Sequence, residues 1–135
     1  MAKSTGLGQT ALSVDDAGAA ARDIRNDITS WQMATPRGVQ DVTGVDKSAN
    51  ERLLLLADAS ITLNGVHNPS SNRQHDVFRT VPSTSVARTV TVTINGVTLA
   101  TEMLFSDYQL NRSDSGELTW SAPGALADGT VPTWA

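Results

Sequence analysis

An antiparallel β-sandwich or barrel carrying one or two short helices is the fold class this sequence predicts, and three observations carry it. Residues 89–105, TVTVTINGVTLATEMLF, alternate small polar with apolar side chains on both sides of Asn95-Gly96. Residues 59–66, ASITLNGV, repeat that alternation, and residues 108–122, YQLNRSDSGELTWSA, have the form of a second hairpin turning across residues 113–116. A period of two sends successive side chains to opposite faces of a strand, so that one face is buried and the other stays wet.

In chain order, the first 22 residues are small, polar and glycine-containing, with too little apolar content to hold a core position unaided. They predict an arm ordered only by contact with something else, leaving residues 23–135 as a single domain. Residues 23–33, DIRNDITSWQM, predict a strand, and ATPRGVQDVTG predicts a loop punctuated by Pro36, Gly38 and Gly44. SANE then matches a capping box in which Ser48 accepts from the Glu51 amide and the Glu51 side chain reaches back. That points to a short helix through the four leucines that follow, although such a run also suits a buried strand. After the strand at residues 59–66, Asn68-Pro69 is a break, and residues 74–80 predict a short helix ended by Val81-Pro82. In the 89–105 ribbon, Val90, Val92 and Ile94 share one face and Thr89, Thr91 and Thr93 the other; Asn95-Gly96 supplies the two positive φ angles of a type I′ turn.

Composition narrows the function. The chain has 135 residues, suited to one domain with a modest core. It has no cysteine, which excludes disulfides and thiolate metal sites and fits a reducing compartment. The longest apolar run, residues 53–57, is far below a membrane span, and the N-terminus lacks a signal-peptide pattern, so a soluble protein is expected. Residues 1–88 hold nine acidic and nine basic side chains, whereas residues 89–135 hold Glu102, Asp107, Asp114, Glu117 and Asp128 against Arg112 alone. The net charge of −4 thus resides in the C-terminal third, and no basic stripe exists to release counterions from phosphate.

Catalytic constellations are missing from the sequence, which is read as that of a non-enzyme without cofactor. His67 and His75 lie eight apart with no HExxH-type pair, and His75 beside Asp76 does not form a catalytic couple by adjacency. GxSxG, GxxxxGK[ST] and GxGxxG are all missing, and DVTGVD lacks the ligand alternation of a calcium loop. Glu102, Asp107 and Asp114 lack the aromatic groove that glycoside hydrolysis would require. Trp31, Trp120 and Trp134 are read as core or subunit-seam residues.

A small core with long regular strands leaves edges that invite pairing, and the 89–105 ribbon carries little to blunt them beyond Gly96 and Glu102. A second copy adding its strands would satisfy those backbone groups, and head-to-tail repetition closes into a ring. The competing expectation is that the chain's own termini cover the edge.

The run RGVQDVTGVDKSANERLLLLADASITLNGVHNPSSNRQHDVFRTVPS, together with TVTVTINGV and the closing APGALADGTVPTW, resembles the major tail tube proteins of long-tailed bacteriophages, notably those of actinobacteria. The resemblance covers roughly residues 23–134 and rests on the order of the pieces. It implies a β-sandwich virion subunit that forms hexameric rings, stacks them into a hollow tail and passes the genome from capsid to host. The partners it implies are other copies, a tape measure, a tail terminator and tail tip proteins, with DNA passing without specific binding. A bore for a polyanion should be acidic or neutral, which makes Glu102, Asp107, Asp114 and Glu117 candidates to face it. Residues 1–20 and the loop at 35–48, with Thr35, Arg37, Asp41, Asp46 and Lys47, are candidates for contacts between rings. An immunoglobulin-like decoration or adhesion module, or a terminator or connector ring protein, is the alternative.

Overall fold

A computed structural model describes residues 3–135; Met1 and Ala2 of the expected arm lie outside the described residues. The elements are β1 (Ala11–Asp15), β2 (Ala21–Asp23), a 3-10 turn (Arg25–Asp27), β3 (Ile28–Ala34), β4 (Arg37–Asp41), β5 (Arg52–Ala57), β6 (Ser60–Val66), α1 (Gln74–Phe78), β7 (Arg88–Ile94), β8 (Val97–Phe105), β9 (Gln109–Arg112) and β10 (Leu118–Leu126). One antiparallel sheet runs β2-β1-β7-β8-β10-β6-β3, with β9 also on β10, while β4 and β5 form a separate two-stranded ribbon. The sheet curls until its ends approach: the Trp31 indole on β3 donates to the Gln9 side-chain oxygen ahead of β1 at 2.8 Å.

Alternation decides which face turns inward. Leu12 and Val14 of β1, Val90 and Val92 of β7, Leu99 and Met103 of β8, Trp120 and Ala122 of β10, and Ile61 and Leu63 of β6 are all buried. Helix α1 closes this core with Val77 and Phe78; the Phe78 ring lies 5.1 Å from Phe105 and 5.2 Å from Trp120. The wet face of the same strands is rich in small hydroxyls, with Ser13 opposite Thr91, and Thr93 bonded to Thr98 across the hairpin at 2.9 Å. The expected hairpin turn forms, with Asn95 at φ 50° and Gly96 at φ 83°. Strand β6, helix α1 and the β9–β10 hairpin also form where the sequence predicts them.

Four expectations need correction. Residues 11–15 are not part of an arm: Leu12 and Val14 are enough to seat β1 against β7, because their partners Val92 and Val90 already line the core. Strand β3 starts at Ile28 rather than residue 23, since the turn at Arg25–Asp27 draws the Asp27 side chain inward. The leucine run is a strand, not a helix, and it is exposed rather than buried. Its capping box is outcompeted: the Glu51 amide donates to the Thr43 hydroxyl at 2.7 Å and the Val42 amide to the Glu51 carbonyl at 2.9 Å, zipping β5 to β4 across what was expected to be a loop.

The last correction concerns the ribbon at residues 89–105, whose edges are not free. Strand β1 takes the β7 side, and β10 takes residues 103–105 of β8. Further along β8, Ala127 donates to the Glu102 carbonyl at 3.0 Å, and Ala135 exchanges two 2.9 Å backbone bonds with Thr98. The chain's own terminal segments cover this ribbon.

Candidate functional site

The surface feature that the fold does not consume is the β4–β5 ribbon. Its two strands are tied together at their root, where the Asp58 amide donates to the Pro36 carbonyl at 2.9 Å, and it buries none of its own residues. Leu53, Leu54, Leu55, Leu56 and Val39 are all exposed, Leu56 to 89%. Covering a fully exposed leucine is worth about 1.5–3 kcal/mol, so this ribbon holds several kcal/mol of unrealised burial in the single chain. An isolated two-stranded ribbon is marginal in water, and this one is stiffened by its own polar contacts.

Those contacts use the residues singled out for contacts between rings. Thr35 leads into β4, Arg37 and Asp41 lie on it, and Asp46 and Lys47 occupy the tip loop, all exposed. The Arg37 guanidinium donates twice to the Leu55 carbonyl, at 3.0 and 2.8 Å, across the register shift in the ribbon. Asp41 accepts from the Thr43 hydroxyl at 2.6 Å and the Thr43 amide at 2.9 Å, which together hold its carboxyl below the usual range. Asp46 and Lys47 face each other at 3.7 Å. The structure brings these five residues onto one projecting element.

The four acidic candidates are not brought together. Glu102 sits on the wet face of β8, bonded by the Thr89 hydroxyl. Asp107 caps the turn into β9, accepting from the Tyr108 amide and the Gln109 side chain. Asp114 and Glu117 lie in the β9–β10 turn, at the other end of β10 from Glu102; a nine-residue strand spans about 30 Å.

Beneath α1 lies a polar cluster that sequence reasoning missed. Asp27, 3% exposed, accepts from the Asn68 side chain at 2.7 Å and the Gln74 amide at 3.2 Å, while its carbonyl takes the Trp120 indole at 3.2 Å. Gln74 and His75 both meet the Tyr108 hydroxyl. Burial, then the nearby His67 and Arg79, push the His75 pKa down, and burial pushes that of Tyr108 up. Arg88, 2% exposed, donates to the carbonyls of Asp15 at 3.1 Å and Val77 at 2.6 Å and to the Thr80 hydroxyl at 3.1 Å. It pins α1 to the sheet, and burial lowers its pKa. The alternation of β7 was the available signal: position 88 falls on the inward side with Val90 and Val92.

These contacts tie α1 and the Arg25–Asp27 turn to the sheet. Among the described residues no set of three or more His, Asp or Glu side chains is placed to hold a metal ion, and no helix is long and apolar enough to cross a membrane. A groove of about 510 Å³ lies where β1 and β3 approach, floored by Leu12, Ile28, Trp31 and Ile94 and edged by Gln9 and Arg25.

No protein-family model and no curated protein matches this sequence. Among solved structures, the chain is similar to one from the tail of an empty gene transfer agent particle refined with C6 symmetry, at 16% identity and a TM-score of 0.69, covering 93% of this chain and 94% of that one. It is likewise similar to a chain from the virion of a native gene transfer agent particle, at 16% identity and a TM-score of 0.68, covering 92% and 95%. The likeness at this identity is one of fold, and it extends over nearly the whole of both chains.

Proposed function

We infer that this protein is a structural subunit of a phage-type tail tube, assembling as hexameric rings that stack into the conduit through which a genome leaves the capsid. The observation that carries this reading is the end-to-end fold likeness to a chain from a tail of six-fold symmetry. The projecting β4–β5 ribbon adds to it, because a soluble single chain has no use for four exposed leucines on one short element, whereas a repeating assembly does.

On this reading Thr35, Arg37, Asp41, Asp46 and Lys47 belong to contacts between rings, supported by their gathering on that ribbon. The hydroxyl-rich face with Glu102 suits a bore, since uncharged and acidic groups do not bind a polyanion, and Glu102 is the acidic candidate that this face carries; Asp107, Asp114 and Glu117 lie at turns away from it. A tape measure, a terminator and tip proteins are the partners that follow, in a virion tail without catalysis or cofactor.

Negative-stain microscopy of the purified protein tests the reading. Hollow tubes with six-fold cross-sections are expected. Single rings that never stack would point instead to a terminator or connector, and monomers at high concentration to a decoration module.

A further inference from the structure

The polar cluster under α1 has a direction, and a backbone amide sets it. The Asn68 amide can only donate, and it lies 3.1 Å from the Gln74 side-chain oxygen, so the Gln74 NH2 group is the end that donates to the Tyr108 hydroxyl. The Asp27 carboxylate anchors the buried end, accepting from the Gln74 amide and the Asn68 side chain. Burial keeps the phenol of Tyr108 protonated. With its oxygen taken by Gln74, that hydroxyl has its own proton to give, and His75 Nδ1 is in reach at 3.0 Å. The chain of donors therefore runs one way, from Gln74 to Tyr108 to His75. It closes only on a neutral His75 that carries its proton on Nε2.

We propose that this chain of donors is an acid-sensitive latch between α1 and the start of β9: a proton taken up from solvent at His75 Nδ1 sets two donors against each other and frees Tyr108 from the helix. The latch belongs to the single chain and stands apart from the tail reading. The proton has a way in, since His75 borders a recess of about 310 Å³ walled by Arg79, Val81, Pro82 and Asp107. The groups around the ring offer the new charge little support. On α1, Arg79 opposes it and Asp76 favours it, but Asp76 already holds Arg79 at 3.2 Å and the Asn72 amide at 3.0 Å. From the end of β6, the His67 ring stands edge-on at 4.9 Å, and its buried Nδ1 has no hydrogen-bond partner among the described residues. Ahead of β9, Asp107 accepts from the Tyr108 amide and the Gln109 side chain; in the 3-10 turn, Asp27 is engaged by Gln74 and Asn68. Arg88 of β7 meets the other end of the helix, at the Val77 carbonyl. Each nearby carboxylate thus already accepts from other donors, and the contact with Tyr108 is the one that gives way. Tyr108 also stacks on Phe78 at 5.8 Å and lies 6.4 Å from Trp120, so its release uncovers the aromatic face with which α1 closes the core.

Nitrogen NMR of the two histidine rings tests the direction of the latch. At about pH 7.5, His75 is expected with a bare Nδ1 and a protonated Nε2. A neutral ring with its proton on Nδ1 would overturn the proposal. Amide hydrogen exchange tests the release. Between about pH 7.5 and about pH 5, protection of the Val77 and Arg79 amides, which close α1, is expected to fall about tenfold after the intrinsic change in rate is divided out, while the amides of β7 keep theirs. Equal losses in α1 and β7, or none in α1, would overturn it. His75→Gln presents an amide oxygen that accepts from Tyr108 at every pH, and α1 is expected to stay protected throughout. Tyr108→Phe has no latch to lose and should show the weaker protection already at neutral pH. A His75→Gln protein that opens on acidification as the wild type does would also overturn the proposal.

Discussion

Strands β7–β8 and β4–β5 are both antiparallel hairpins, yet one is the centre of the fold and the other stands in solvent. In β7–β8 every second residue is apolar, one face is sealed by α1, and both edges are taken by the chain's own strands and terminal residues. In β4–β5 the apolar residues are consecutive, so both faces carry them, and no other segment of the described chain lies along either edge. The contrast shows that regular alternation lets one face be buried while the other stays wet, whereas an unbroken apolar run puts leucines on both sides of a ribbon that this single chain leaves exposed.

Substitutions separate the two regions. The largest effect is expected at Gly65 of β6, where an added Cβ would sit 1.8 Å from the Asp27 carbonyl oxygen and 2.9 Å from the Trp120 indole nitrogen. Gly65→Ala must displace backbone, and a loss beyond about 4 kcal/mol is expected, seen as collapse of soluble, cooperatively melting protein. Arg88→Met comes next. It strands the Asp15 and Val77 carbonyls and should lower the unfolding free energy by about 3 kcal/mol in urea titrations, since each buried unpaired acceptor costs about 1–3 kcal/mol.

The ribbon should behave in the opposite way. Leu54→Gln/Leu56→Gln is expected to leave subunit stability within about 0.5 kcal/mol by the same titration, because those side chains touch no core, while assembly is lost. A large fall in subunit stability would show that the ribbon belongs to the folded core after all. The smallest effect concerns His75. Its folded pKa lies below the ordinary value of 6.5, so the unfolded chain takes up the proton first as pH falls. Stability is therefore full above about pH 6.5 and declines as pH drops towards the folded pKa; His75→Gln should flatten that slope in melting curves taken across the range.

Legibility in the sequence followed the same division. The 89–105 hairpin, β6, the β9–β10 hairpin and α1 were readable because period, turn residues and helix breakers agree locally at those positions. β1 was not readable, because its two buried side chains gain their value only from Val90 and Val92, some 80 residues away in sequence. The leucine run is a strand, the second of its two readings, but an exposed one. A capping box is a local signal, and here Thr43, eight residues upstream, captured the Glu51 amide that the helix would have used. Of the candidate site, residues 35–47 read as a loop but include β4, half of a ribbon, while the leucines beside them read as a helix or a buried strand and are an exposed strand. The alternation of β7 marks Arg88 as inward-facing, but its partners and those of Asp27 come from five separate segments, which no local pattern announces.

Sedimentation velocity across a range of concentrations tests most directly whether the ribbon drives this chain to assemble. Wild-type protein is predicted to pass from slow subunits to large, ring-sized and longer species as concentration rises, and the Leu54→Gln/Leu56→Gln protein to remain a slow, folded subunit throughout. Identical profiles for the two proteins, whether both assemble or both stay monomeric, would contradict the account.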